Sequence, residues 1–311
     1  MDKRQTYMNK KVLVLYYSQA GQLKRVLNSL TSTLGCDEIQ VDMRAIKPKT
    51  KYPFPWPFYT FFDEFPESVH LDGCAIEEVD NLEDDYDLII LGYTVWYMAP
   101  SIPITAFMKS DQAKKLFKGK PVVTLVACRD MWVLAQEKVK EMLQDVGARH
   151  IDHVALTDQG GGVISLITLP TYMLTGNRNF FKTLPPAGIK QEEIAACERF
   201  GKRLSEALKD DKEKEDKAML TSLGATVVNA KLIASEKIAN RSFHIWSKLI
   251  KLGGEKYSMG RKVVITIYVA FLILLIFTVI PINIIARKIL NIFQKDKIKA
   301  MEEYYELPSG R

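Results

Sequence analysis

What the chain has little of narrows its class first. Four cysteines occur in 311 residues, Cys36, Cys74, Cys128 and Cys197, far apart and without a CxxC pair. Neither a zinc site nor a disulfide framework is expected from them, and they suit a reducing cytosol. No charge sign dominates, because 43 basic residues face 37 acidic ones for a net charge of +6. That excess is too small to indicate a nucleic-acid partner, and a membrane surface is the better acidic one. The N-terminal stretch MDKRQTYMNKK is polar and carries neither an apolar h-region nor a cleavage site, so the expectation is a domain that folds in the cytoplasm.

What is present is an alternation of strand and helix patterns. Val12-Leu13-Val14-Leu15-Tyr16-Tyr17 is a continuous apolar run of strand length, suited to a buried parallel strand. After Ser18-Gln19-Ala20-Gly21-Gln22, the residues Leu23, Val26, Leu27, Leu30 and Leu34 recur at helical spacing. Further strands are expected at Glu38–Val41, Leu88–Leu91, Val122–Val126 and His153–Leu156, with helical patterns around Ile104–Met108 and Val139–Val146. This predicts an α/β fold, a doubly wound parallel sheet of five strands covered on both faces. Ile194, Cys197, Phe200, Leu204 and Leu208 form a last helical face, and the charged run Lys209–Lys217 reads as solvated linker. The domain is therefore expected to cover residues 1–210.

Residues 211–260 are expected to be an amphipathic helical linker. There Phe243, Ile245, Trp246, Leu249 and Ile250 lie among Lys231, Lys237, Arg241, Lys248 and Lys251, a pattern that suits either a membrane surface or packing on the domain. Val263–Ile285 carries no charged side chain and is bracketed by Arg261-Lys262 and Arg287-Lys288. It is long enough to enter a bilayer, so residues 261–288 read as a membrane anchor. Pro281 and the basic residues of the tail, 289–311, leave a spanning and a re-entrant form both open.

Ligands of open parallel sheets bind at the carboxyl ends of the strands, which selects four loops. Ser18, Gln19, Ala20, Gly21 and Gln22 follow the first strand and open a helix, where backbone N–H groups can meet a phosphate. The loop has neither the GxGxxG fingerprint nor the lysine and hydroxyl of GxxxxGKS, so a monophosphate is the better fit. Gly92-Tyr93-Thr94-Val95-Trp96-Tyr97-Met98-Ala99-Pro100 follows the third strand and offers aromatics to a flat ring. Cys128-Arg129-Asp130-Met131-Trp132 follows the fourth, and Asp158-Gln159-Gly160-Gly161-Gly162 the fifth. The latter leads into an irregular stretch to Gly188 that reads as a substrate lid. A separate insertion, Tyr52–Pro66, holds eight aromatics and prolines at 53, 55, 57 and 66. It is expected to line an apolar substrate site, touch the bilayer or pack against the tail.

Residues 11–208 resemble the flavodoxin-like family on these loops. The resemblance implies that Ser18–Gln22 hold the phosphate of FMN. It further implies that Tyr93, Thr94, Val95, Trp96 and Tyr97 line one side of the flavin, and Cys128, Arg129 and Trp132 the other. Ala20 and Gln22 stand where flavodoxins often carry hydroxyls. With the aromatic insertion, lid and anchor, the chain is similar to the dialkylresorcinol condensing enzymes of flexirubin-type pigment pathways. That would imply oxidation of a dialkyl cyclohexanedione to a resorcinol beside a ketosynthase-like partner, at a membrane that holds the apolar substrate. Such flavoproteins are often dimers, so a homodimer is a further implication. Tyr97, Asp130 and Asp158 are the candidate acid–base residues, with His153 a weaker one if it begins its strand and points away. No metal is expected. The other readings are an NAD(P)H-dependent quinone reductase on the same FMN site and a non-catalytic membrane scaffold.

Overall fold

The apolar run after Lys10 forms the centre of a parallel sheet, as its lack of alternation requires. The computed structural model describes residues 10–36, 38–83, 85–279 and 295–310. Its strands are β1 (Lys10–Tyr16), β2 (Ile39–Ala45), β3 (Leu88–Trp96), β4 (Ala99–Pro100), β5 (Pro121–Cys128) and β6 (Arg149–Thr157). The helices are α1 (Gln22–Leu34), α2 (Phe58–Asp63), α3 (Phe65–Val69), α4 (Ile102–Met108), α5 (Asp111–Phe117), α6 (Val133–Asp145) and α7 (Gly161–Thr175). They continue as α8 (Gln191–Ala195), α9 (Glu198–Lys209), α10 (Ala230–Leu252), α11 (Met259–Phe277) and α12 (Lys295–Glu306).

The five long strands are parallel in the order β2-β1-β3-β5-β6, and β4 folds back antiparallel on β3. This is the flavodoxin-like order, whose reversal between β1 and β3 marks the ligand crevice. One core face packs Leu23, Val26, Leu27, Leu30 and Leu34 of α1 and Phe200, Leu204 and Leu208 of α9 on the sheet. The other packs α4, α5, α6 and the start of α10.

The domain does not end at residue 210. Within the charged run Glu213 is buried, 2.6 Å from Lys10 Nζ at the start of β1. Met219, Leu220 and Ala225 then join the core. Their stretch is tied to β6 where Asp152 Oδ2 accepts the N–H groups of Met219 (2.6 Å) and Leu220 (2.8 Å). Burial raises Asp152 to about 6, against the pull of those donors.

The expected linker is a single 23-residue helix, α10, packed against α3, α6 and α11. Among the described residues, α11 alone is long and apolar enough to cross a membrane. The rest of the expected apolar run, with Pro281, Arg287 and Lys288, lies outside the described residues.

Candidate functional site

Register places the crevice. Tyr16, the last residue of β1, pairs with Gly92, so Tyr93–Trp96 of β3 project past β1. Beside them end β5 at Cys128 and β6 at Thr157. The loops that follow β1, β3, β5 and β6 therefore open on one edge of the sheet.

At the first loop Gly21 caps α1 in the left-handed conformation, φ 76°, and a Cβ there would meet nothing within 4 Å. Ser18 Oγ accepts the N–H of Lys24 at 3.3 Å. Gln19 donates to Pro53 O at 2.6 Å and so ties the loop to the aromatic insertion. Gln22 lies against Gly188, whose neighbouring carbonyls at Ala187 and Ile189 accept from Arg178. Replacing Gly21 by alanine forces a side chain into φ > 0 without any clash. It is expected to cost about 1 kcal/mol of stability and to weaken binding of a phosphate-bearing ligand several-fold, readable by denaturant unfolding and by ligand titration.

The second loop divides its residues among three places. Tyr93 is fully buried and its hydroxyl donates to Gln136 Oε1 at 2.5 Å. It belongs to the core and does not face the crevice. Thr94 and Val95 continue the strand, and Trp96 packs edge-on against Tyr17, Tyr52 and Trp56, at 6.0, 5.0 and 5.6 Å between ring centroids. Tyr97 and Met98 take φ of 50° and 60°, the paired left-handed turn that folds β3 onto β4. For non-glycine residues this conformation is costly. It turns Tyr97 away from Trp96, into a group with Phe61 and Phe65, where its hydroxyl donates to Phe61 O at 2.5 Å. Burial pushes its pKa well up. Tyr97 is thus a packing residue and not an acid or base of the crevice.

The third loop keeps two of its candidates at the edge. Arg129 is half-buried and gives Gly162 O a long hydrogen bond of 3.4 Å, while burial lowers its pKa against the pull of Asp130 and Asp158. Burial raises Asp130, with Arg129 opposing. The Cys128 thiol, pushed well up by burial, lies 3.8 Å from Leu156 O. Trp132 belongs to the core. It is 2% exposed, its ring 5.1 Å from that of His153. His153 does not begin its strand, because β6 starts at Arg149. Its Nδ1 shares a 2.8 Å hydrogen bond with Thr124 Oγ1 in a buried network that includes Gln136 and Tyr93, and burial holds it neutral.

At the fourth loop both Asp158 oxygens accept backbone N–H groups, from Gly160 at 2.7 Å and from Gly188. Asp158 closes the loop and is occupied. Burial raises its pKa, and these donors and Arg129 lower it. The expected irregular stretch divides in two, a helix first and then turns and coil over residues 176–190. Gly161–Thr175 is α7, helical in spite of Pro170.

Glu236, which the sequence reading missed, reaches this edge from α10. It is completely buried, and Oε1 accepts the N–H of Leu134 at the start of α6, 2.8 Å away. One turn earlier on the same face, Leu232 is the neighbour a Cβ at Gly162 would meet, at 3.3 Å. Burial raises Glu236 to about 7, with Leu134, Arg129 and Lys138 opposing. Its only sequence signal is an acidic residue inside an otherwise basic amphipathic helix.

Several buried polar atoms around this edge have no hydrogen-bond partner among the described residues: Gln19 Oε1, Trp56 Nε1, Thr94 Oγ1, Arg129 Nε, Ser165 Oγ and Glu236 Oε2. With the open Gly21, they fit a ligand that joins a phosphate to a polar-edged ring, as FMN does. Ser18–Gln22 would hold the phosphate, and Thr94 and Arg129 the ring's polar edge. Among the described residues no group of three or more His, Cys, Asp or Glu could hold a metal ion.

No family model matches the sequence, and no curated protein matches it. Solved structures do. A flavoprotein from Lactobacillus acidophilus NCFM, in complex with FMN, is 23% identical, covering 47% of this chain and 93% of that one, with a TM-score of 0.39. Flavodoxin 1 from Bacillus cereus is 16% identical, covering 62% of this chain and 95% of that one, with a TM-score of 0.33. A flavone reductase is 12% identical, covering 67% and 65%, with a TM-score of 0.37. At these values the chemistry has to be read from the residues of the site itself.

Proposed function

We propose that this protein is a membrane-associated, FMN-dependent oxidoreductase acting on an apolar ring substrate. In its finer form the reaction is oxidation of a dialkyl cyclohexanedione to a dialkylresorcinol, downstream of a ketosynthase-like partner. The observation that carries the reading is the set of unpartnered buried polar atoms at the carboxyl ends of β1, β3 and β5. A buried polar group left unpaired costs about 1–3 kcal/mol, and a polar-edged ligand at this edge would satisfy several at once.

When bound, FMN supplies a two-electron acceptor for hydride. The chain supplies the rest. Aromatisation of the dione removes two hydrogens, one as hydride and one as a proton, so a proton acceptor is required. Supporting Glu236 in that role are its unpartnered Oε2, its burial and a pKa near 7. Arg129, with an unpartnered Nε, suits the negative charge that builds on the dione oxygens as the proton leaves. The uncharged α7 and the rings of Tyr17, Tyr52, Trp56 and Trp96 suit the alkyl chains and exclude water.

Full-length protein purified in detergent is expected to bind FMN with quenching of the free flavin's fluorescence. A preparation that stays colourless and leaves that fluorescence unchanged would overturn the reading. In anaerobic mixing, a dialkyl cyclohexanedione alone is expected to bleach the bound flavin. Bleaching by NADPH and not by the dione would assign a quinone reductase instead.

A further inference from the structure

Beyond the apolar segment the chain comes back to the catalytic domain. α12 lies against α10, and its Ile298, Met301 and Tyr305 pack on the core face that α6 covers. Further along, the buried Ser309 Oγ accepts the backbone N–H of His153 in β6 at 2.5 Å. At the other end α10, itself packed on the domain, leads into α11. Both flanks of the apolar segment are therefore fixed to one folded body, which can lie on only one side of a bilayer.

α11 is also no free-standing rod. Its 19 residues would reach about 28 Å, close to the hydrocarbon thickness of about 30 Å. Yet Arg261, Ile265 and Tyr268 are buried against the domain, and Val264, Val269, Phe271 and Leu272 pack beside them. Tyr268 stacks on Phe65 of α3 at 4.9 Å, and Trp246 of α10 lies 5.1 Å from Phe271. Wherever α11 meets lipid, the elements it is packed on meet lipid too.

Those elements continue as one uncharged surface. Residues 52–62, 159–177 and 263–279 contain no Asp, Glu, Lys, Arg or His. Tyr59 of α2 joins Thr266 of α11, hydroxyl to hydroxyl, at 3.3 Å. The insertion joins α7 where the backbone N–H of Trp56 donates to Met173 O at 2.8 Å and the rings of Phe54 and Tyr172 meet at 5.1 Å. Phe58, Tyr59 and Ile167 are exposed on it, with the outer face of α11, where Phe277 is 71% exposed. Lys51, exposed, immediately precedes the first of these segments in sequence, and a lysine of that reach suits a lipid headgroup.

We infer that this protein is monotopic. α11, α2 and α7 seat it in a single leaflet, both ends of the apolar segment stay on the side of the catalytic domain, and the crevice beneath α7 opens toward lipid. A lipid-soluble substrate then reaches the crevice from the hydrocarbon without crossing water. The inference rests on the membrane-associated reading above, and the test separates the two.

Spin labels are placed in full-length protein whose Cys36, Cys74 and Cys128, the thiols that are not buried, are replaced by serine, at Phe58→Cys (α2), Ile167→Cys (α7), Ile267→Cys (α11) and Lys202→Cys (α9). The protein is reconstituted into phosphatidylcholine–phosphatidylglycerol vesicles, and collisions with oxygen and with a water-soluble nickel chelate are compared. Labels at 58, 167 and 267 are expected to favour oxygen several-fold relative to the label at 202. Lipid contact at 267 with water contact at 58 and 167 overturns the seat and leaves membrane association intact. Water contact at 267 overturns both. Exclusion of both reagents at 167, with dipolar broadening between labels, identifies a second copy as the occupant and also overturns the seat. The topology is read with Tyr304→Cys in sealed vesicles whose domain faces out. A membrane-impermeant maleimide is expected to modify it as fully as Lys202→Cys, and protection of 304 until the vesicles are opened would make α11 part of a span.

Discussion

Replacing Arg261 by methionine is expected to destabilise the protein by about 3–5 kcal/mol, the cost of removing one partner from a buried ion pair. The side chain is 3% exposed, with Nε 2.5 Å from Asp63 Oδ1 and Nη2 2.6 Å from Glu67 Oε2 and 2.7 Å from Asp63 O. Asp63 is as buried as Arg261 and also accepts the N–H of Tyr257 at 2.7 Å. Burial already raises the pKa of Asp63, with Arg261 the chief opposing influence. Without the guanidinium the carboxyl must take up a proton or remain an uncompensated charge. The measurement is the denaturation midpoint of full-length protein in detergent, followed by circular dichroism. The triple variant Arg261→Met, Asp63→Asn, Glu67→Gln should recover most of the loss, because the one buried carboxylate it leaves there, Glu64, keeps its own partner Lys256 at 2.6 Å. A loss below about 1 kcal/mol in the single variant would mean that this cluster does not dock α11.

The parts of this protein that local patterning determines were legible in its sequence. Val12–Leu15 could only be a strand covered on both faces, and the spacing of Leu23, Val26, Leu27, Leu30 and Leu34 is the buried face of α1. With those elements in order, the candidate loops followed from the binding of ligands at the carboxyl ends of parallel strands. What escaped depends on contacts between distant segments. Three glycines and the length of the stretch after them read as an irregular lid, whereas its first half is α7, helical because the insertion and the start of α10 support its two ends. Tyr93 and Trp132 sit next to crevice residues in sequence, but strand alternation and the start of α6 turn them into the core. The charge of Lys209–Lys217 concealed Glu213, whose burial is tolerable only because Lys10, some 200 positions earlier, reaches it. Glu236 was hidden for the same reason, since nothing near it in sequence announces Leu134 or Arg129 as its neighbours.

Replacing Glu236 by glutamine should divide two properties that a purely structural residue would not. If Glu236 accepts the proton, kcat falls by about 10²–10⁴-fold, while FMN binding, read by flavin fluorescence, is retained. The pH profile sharpens the test. The reaction needs the carboxylate, so the wild-type rate should rise tenfold per pH unit below about 7 and level off above it, because burial places Glu236 there. The glutamine variant should be flat and low across that range. Stability should move the other way. The folded-state pKa of about 7 lies above the ordinary value of 4.5, so the stability associated with the neutral carboxyl is fully present below about 4.5 and is lost as pH rises through about 7. A neutral amide carries no such loss and can still accept from Leu134 N–H, so above pH 7 the variant should be the more stable protein, by up to roughly 3 kcal/mol. A variant that is stabilised at high pH but keeps the wild-type rate would remove Glu236 from the reaction and leave only its burial. A variant that loses activity and FMN together would make it a residue that holds the site in shape, and the proton would then have to be taken by Asp130, the remaining carboxyl at that edge.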